Sequence, residues 1–227
     1  MRIKILRQQS PFSKPYWQTF SYEGSREISV AALLDELNYK DDLVDIDGNR
    51  AEVISWECSC LQGMCGGCAM VIYGHPALAC ETFLKDLPDD EITLEPLRKF
   101  PTVSDLLVDR SIIQENLKKA NTYIESYQLT DEAGHEHQYL AAKCLKCGLC
   151  LEVCPNYAQG DKFYGAEFAN DAYLVASRSA NHKKDIRKEY EAHFSAGCSK
   201  SLACEDICPM KIPTLASMGK LNNKKHF

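Results

Sequence analysis

Twelve cysteines in a chain of 227 residues fall into three blocks, Cys58 to Cys80, Cys144 to Cys154 and Cys198 to Cys208. No other feature restricts the possible folds as much, because whatever holds those thiols must dictate the backbone around them. A disulfide framework would suit an exported chain. The N-terminus MRIKILRQQ, however, alternates apolar and polar residues and lacks the apolar core of a secretion signal. The chain is expected to stay in the cytoplasm, where thiols are kept reduced, and metal ligation is the stronger reading.

Composition then limits the partners. There are 26 basic residues against 32 acidic ones, a net charge of -6 and no basic block, which argues against a nucleic-acid surface. The 45% apolar content supports a packed core. No apolar stretch approaches the roughly 18 residues that a bilayer span requires. Membrane contact is therefore expected only through a partner.

Two domains are expected. Residues 1–99 contain strand-like stretches, RIKILRQ (2–8), YWQTFSYEG (16–24), MVIYG (70–74) and EITLEPL (91–97), around one helical stretch, SVAALLDELNY (29–39). Ser29 is a plausible N-cap, and Leu33, Leu34 and Leu37 share one face of that helix. After Pro101 the pattern turns helical. TVSDLLVDRSIIQENLKKANTYIESY opens with the capping-box spacing Thr102-x-x-Asp105, and FANDAYLVASR (168–178) also suits a helix. The boundary is placed near 99–104, with a second domain over 104–227. DEAGHEHQ (131–138) reads as a loop and the basic tail KLNNKKHF as a frayed end. The fold class is α+β, a small mixed domain followed by a helical one.

The first block contains Cys60, Cys65 and Cys68 at C-x4-C-x2-C spacing, then Cys80. That is the plant-type [2Fe–2S] pattern. Three thiolates converging from one tight loop force unusual backbone angles, which Gly63, Gly66 and Gly67 permit. Small residues also let backbone N–H groups approach the sulfurs. Zinc competes for such ligands, but its pairs usually come as two separate knuckles. Cys58 is left over, either as an alternative ligand or, as preferred here, as a free thiol.

The second block, Cys144, Cys147, Cys150 and Cys154 before Pro155, matches C-x2-C-x2-C-x3-C-P without a gap. In two-cluster ferredoxins the cysteine before proline ligates the other cluster. The third block, Cys198-x5-Cys204-x3-Cys208-Pro209, supplies the partner run. Crossing the last ligands assigns Cys144, Cys147, Cys150 and Cys208 to a [4Fe–4S] cluster. Cys154, Cys198 and Cys204 then hold a second cluster with three thiolates, and Ser201 stands where a fourth would come. A serine hydroxyl ligates the fourth iron of a cube poorly unless it ionises, so a [3Fe–4S] cluster is expected. Its all-ferric core should accept an electron more readily than a cube already holding ferrous iron. Clusters that only stapled domains together would need no such variety, whereas a relay does.

With these residues in place, the chain resembles the iron–sulfur subunit family of succinate dehydrogenase and fumarate reductase over nearly its whole length. The resemblance extends to CGGCAMVIYGHPALAC (65–80), FPTVSDLLVDRS (100–111), DKFYGAEFANDAYLVASRS (161–179) and GCSKSLACEDICP (197–209). The absent fourth cysteine of the third cluster is itself a feature of that family. The resemblance implies an N-terminal β-grasp ferredoxin domain and an all-α, bacterial-ferredoxin-like domain carrying [2Fe–2S], [4Fe–4S] and [3Fe–4S] clusters. It also implies an FAD-containing flavoprotein subunit and a membrane cytochrome b anchor with quinone, which would hold the chain peripherally at the cytoplasmic face of the cell membrane. The chain itself is expected to lack a dicarboxylate site.

Three positions depart from the pattern. Many succinate dehydrogenases carry paired tryptophans after the first proline and a histidine after the first cysteine of the next run. Here those segments read Tyr157-Ala158-Gln159 and Ser199, a shorter loop that looks more like fumarate reductases, and Leu61 replaces a frequent arginine. The quinone contacts of the family are therefore not carried over. Two rivals stand beside this reading: a free-standing ferredoxin-like carrier, and the iron–sulfur subunit of a soluble flavin dehydrogenase that does not use quinone.

Overall fold

Strict alternation in RIKILR makes strand β1 (Arg2–Arg7) two-faced, and it turns Ile3, Ile5 and Arg7 inward. The computed structural model describes residues 1–88, 90–124, 132–179 and 182–223. It divides into two compact units, Met1–Asp109 and Arg110–Phe227.

In the first unit β1 lies inside a five-stranded mixed sheet. It pairs antiparallel with β2 (Tyr16–Ser21) and parallel with β5 (Glu91–Glu95). The sheet continues through β3 (Ala69–Ile72) to β4 (His75–Leu78) in the order β2-β1-β5-β3-β4. Helix α1 (Val30–Asn38) starts at Ser29, whose hydroxyl accepts the Ala32 N–H. Leu33, Leu34 and Leu37 are fully buried. Each contributes ~1.5–3 kcal/mol by leaving water. The strands stop short of the expected stretches at Ser21, Ile72 and Glu95, and at Ile72 the reason is a turn over Tyr73 and Gly74.

The helix expected from Thr102 does not form. Thr102–Ser104 and Leu107–Val108 are instead the short paired strands β6 and β7, and helix α2 begins only at Ser111 and runs to Lys119. Asp105, the supposed capping-box acid, lies in the turn between them at φ 45°. Its carboxylate accepts the N–H groups of Gln8 and Ser55. Those long-range partners outcompete a local cap. Residues 125–127 of the expected helix lie outside the described residues.

In the second unit the regular elements among the described residues are helices: α2, then α3 (Glu132–Ala142), α4 (Leu149–Val153), α5 (Ala166–Arg178), α6 (Lys183–Tyr190), α7 (Ala203–Asp206) and α8 (Thr214–Asn222). A π-helical turn, Glu191–Ser195, follows α6. Helix α5 is central and packs against α3, α6 and α8. Its buried Ala166, Ala169, Ala172 and Ala176 permit close approach, while Phe168 and Tyr173 fill the spaces between. Most of the expected loop 131–138 belongs to α3; residue 131 lies outside the described residues. Tertiary contacts explain this helix: His137 meets Ser217 of α8 and Tyr173 of α5. Of the supposed frayed tail, Lys220–Asn222 complete α8 and residues 224–227 lie outside the described residues.

Candidate metal centres

A hairpin delivers two of the first block's thiols. Tyr73 and Gly74 have φ of 47° and 79°, the left-handed pair that suits a tight turn between right-twisted strands. Strands β3 and β4 pair with Ala69 opposite Leu78. Cys68 and Cys80 therefore flank the open end of the ladder, and their Sγ atoms lie 3.4 Å apart. Pro76 is tolerated because β4 is an edge strand.

The loop 60–68 aims backbone N–H groups at sulfur. Gln62 and Met64 donate to Cys60 Sγ at 3.4 and 3.3 Å, Gly63 donates to Cys80 Sγ at 3.3 Å, and Gly67 donates to Cys65 Sγ at 3.4 Å. Gly63 and Gly66 adopt φ of 68° and 77°. Gly67 does not, and is small for another reason: a Cβ there would lie 3.1 Å from the Glu57 carboxylate. Donation from Gln62 and Met64 pulls the Cys60 thiol down to about 7, whereas burial, followed by Cys68, pushes Cys80 up to about 12. Four sulfurs with N–H donors already aimed at three of them suit a [2Fe–2S] cluster, whose negative sulfurs need those dipoles. Cys58 is exposed and makes no such contact with the loop donors named above.

In the second unit a cavity of about 30 Å³ is lined by Cys144, Cys147, Cys150 and Cys208, together with Cys204, Lys146 and Glu167. Short helices make the convergence possible. Helix α4 carries Cys150 and ends at Cys154, α7 carries Cys204 just ahead of Cys208, and the two helices pack together. Burial pushes Cys144 up to about 12 and raises Cys147 and Cys150 as well. Cys208 is among the charges acting on Cys147. Burial, followed by the charges of Cys154 and Cys198, pushes Cys204 up to about 11. Thiols this reluctant to ionise in a dry site suit a cationic cluster core, which drives their deprotonation.

The two runs share a backbone signature. Lys146 and Gly148 flank Cys147 at φ of 55° and 86°; Lys200 and Leu202 flank Ser201 at 58° and 61°. Gly148 starts α4, and Leu202 starts α7. Ser201 thus occupies the same place in its loop as Cys147 does in the other. Lys200 N–H donates to Cys198 Sγ at 3.4 Å, repeating the pattern of the first block. Ser199 Oγ donates to Asn156 Oδ1 at 2.6 Å and ties this loop to the one after Cys154. Among the described residues no set of three or more His, Cys, Asp or Glu side chains surrounds one common metal-ion position, as four zinc ligands would.

Comparison with known proteins gives the same order of domains. Residues 2–115 match the family model described as a 2Fe-2S iron-sulfur cluster binding domain, and residues 140–212 match a 4Fe-4S dicluster domain. The succinate dehydrogenase iron-sulfur subunit of Bacillus subtilis is 32% identical over 98% of this chain and 91% of its own length. The fumarate reductase iron-sulfur subunit of Escherichia coli is 30% identical over 88% and 84%. The chain belongs to the iron–sulfur subunit family of succinate dehydrogenase and fumarate reductase. A chain of the Mycobacterium smegmatis Sdh1 complex in the apo form shares the fold, with a TM-score of 0.76, 19% identity and coverage of 100% of this chain and 97% of that one.

As a member of this family the chain carries features that spacing did not reveal. Lys146, between two cysteines, is bonded to Glu167 and Asp171 of α5. Its signal in the sequence is a pair of acids four residues apart on a largely buried helix. Arg7 is a second such residue, placed by alternation on the buried face of β1. Leu61 and Met64, beside the first cluster loop, are exposed. Among the described residues no helix is long and apolar enough to cross a membrane.

Proposed function

We propose that this family member is the electron-relay subunit of a membrane-associated succinate dehydrogenase or fumarate reductase complex, linking the FAD of a flavoprotein subunit to quinone at a cytochrome b anchor. The observation that carries this reading is the presence of three cysteine blocks in one chain of the family, the last with Ser201 in a cysteine's place. Cys60, Cys65, Cys68 and Cys80 would hold [2Fe–2S]. Cys144, Cys147, Cys150 and Cys208 would hold [4Fe–4S], and Cys154, Cys198 and Cys204 would hold [3Fe–4S]. Bound there, the clusters supply one-electron carriers of differing potential, and the protein supplies position and insulation.

The residues of the chain have definite tasks in this reading. Gln62, Gly63, Met64 and Gly67 direct N–H dipoles at the first set of sulfurs. The buried surroundings of Cys144, Cys147 and Cys150 keep water away from the second. Ser201 withholds a thiolate from the third. Exposed Leu61 and Met64 offer an apolar contact for the flavoprotein beside the first loop. The mixed sheet with the single α-helix α1 supports a β-grasp reading of residues 1–99, and the helices from Ser111 onward support a bacterial-ferredoxin-like reading of residues 104–227. The tryptophan-free loop after Cys154 looks more like those of fumarate reductases. Attachment is peripheral, on the cytoplasmic side, through the partner subunits.

Electron paramagnetic resonance of the air-oxidised, iron-replete protein tests the cluster assignment. A three-iron signal should be present before any reductant is added, and two further signals should appear on stepwise reduction. Silence of the oxidised, iron-replete protein overturns the assignment around Ser201. Purification with a flavoprotein and a cytochrome b, and quinone-dependent turnover of that complex, test the partners. A chain that purifies alone and passes electrons to several soluble acceptors would be a free carrier instead.

A further inference from the structure

The loop between Cys144 and Cys147 carries a lysine that is turned away from bulk water. The Lys146 side chain is 25% exposed, and its Nζ lies 2.8 Å from Glu167 Oε1 and also bonds the Asp171 carboxylate. Glu167 is 3% exposed. Both Lys146 and Glu167 line the cavity that gathers Cys144, Cys147, Cys150 and Cys208, whereas Asp171, one turn along α5, does not. Packing alone does not call for these charges. Their neighbours on α5, Phe168, Ala169 and Ala172, are fully buried and apolar, and apolar side chains of similar volume could occupy such a site at no loss of stability.

We infer that Lys146 and Glu167 are positioning residues that set the reduction potential of the cluster held by Cys144, Cys147, Cys150 and Cys208, with opposite signs. This rests on the ligand assignment proposed above. Reduction adds one negative charge to the cluster. The Lys146 ammonium stabilises that charge and raises the potential, and the Glu167 carboxylate in its ionised form opposes it and lowers the potential. Partly buried charges are screened less than exposed ones, so charges lining the cavity act more strongly than they would at the surface. Asp171 bonds the same ammonium without lining the cavity and helps to orient Lys146.

The test is a redox titration of the full, cluster-loaded chain followed by electron paramagnetic resonance, comparing wild type with Lys146→Met, Lys146→Arg and Glu167→Gln. Lys146→Met should shift the oxidised-to-reduced ratio of the four-iron centre about tenfold toward oxidised at a given potential, ~59 mV for one electron. Glu167→Gln should shift it toward reduced, and Lys146→Arg should stay near wild type. The two-iron centre should not move. Shifts of the same sign in Lys146→Met and Glu167→Gln, or no shift in either with iron retained, overturn the inference. Should Lys146→Met lose iron, Glu167→Gln decides: an upward shift sustains the inference and an unmoved potential overturns it. A wild-type chain without a four-iron spectrum would remove the ligand assignment and this inference together. A normal wild-type spectrum with unmoved variants would remove the inference alone.

Discussion

Arg7 Nε and Asp105 Oδ1 lie 2.9 Å apart, ninety-eight positions distant in sequence, with side chains 2% and 3% exposed. The guanidinium also donates to Gln18 Oε1 and to the backbone carbonyls of Glu52 and Val53, while Asp105 accepts the Ser55 N–H. Together they pin residues 52–55, the segment that leads into the first cluster loop. Removing one partner leaves the other charge buried and two N–H groups without an acceptor. Asp105→Ala should therefore cost ~3–5 kcal/mol in chemical denaturation and lower the yield of two-iron centre. A loss under 1 kcal/mol would show that the pair is dispensable.

Gly63 couples backbone freedom to ligation. Its φ of 68° is disfavoured for L-residues, and its N–H donates to Cys80 Sγ. Gly63→Ala should destabilise the first unit by ~1–2 kcal/mol and alter the visible spectrum of the two-iron centre. Gly67→Ala, at a position without positive φ, should be the milder change. An equal effect of the two would contradict this.

Ser201 stands in a loop with the backbone signature of the complete run around Cys147. Ser201→Cys should admit a fourth iron without refolding the loop. The three-iron signal proposed for the oxidised protein should vanish, the potential of that centre should fall, and electron exit should slow. An unchanged spectrum would show that this position does not select the cluster.

Cys58 is exposed. Cys58→Ser should retain iron and the two-iron spectrum, whereas Cys60→Ser should change both. Loss of iron in Cys58→Ser would make it a ligand.

His137 gives a pH response in the helical unit. Its ring meets Tyr173 edge-on with centroids 4.5 Å apart, and its Nε2 lies 3.0 Å from Ser217 Oγ. Burial, followed by the charge of Lys220, holds its pKa below the ordinary value of 6.5. The unfolded chain then takes up the proton first, so stability falls as pH drops through about 6.5 and below. His137→Gln should flatten that part of the profile. Thermal midpoints of both proteins between about pH 8 and 5 measure it, and parallel profiles would exclude a contribution from this ring.

How far the sequence could be read depended on how far apart the interacting residues lie. Cysteine spacing, the Ser29 cap, the leucine face of α1 and the alternation of β1 are local, and each repeats at a period that a short window displays. They were sufficient to announce an α+β chain with three thiol sets. The capping-box pattern at Thr102 misled because Asp105 answers to Arg7, Gln8 and Ser55, partners that no window around residue 105 contains. The stretch 131–138 looked too polar for a helix because the buried contacts of His137 come from α5 and α8.

What the sequence by itself determined is the identity, number and spacing of the thiols, including the serine that interrupts the last run, since ligand chemistry is a property of residue type. What only the tertiary structure decided is which charges share their surroundings. Lys146 and Lys200 look alike in their loops, at nearly equal φ. Lys146 meets two carboxylates beside a thiol-lined cavity because α5 passes there, and interaction between charges depends on distance through space and on the water excluded between them, neither of which a linear chain records.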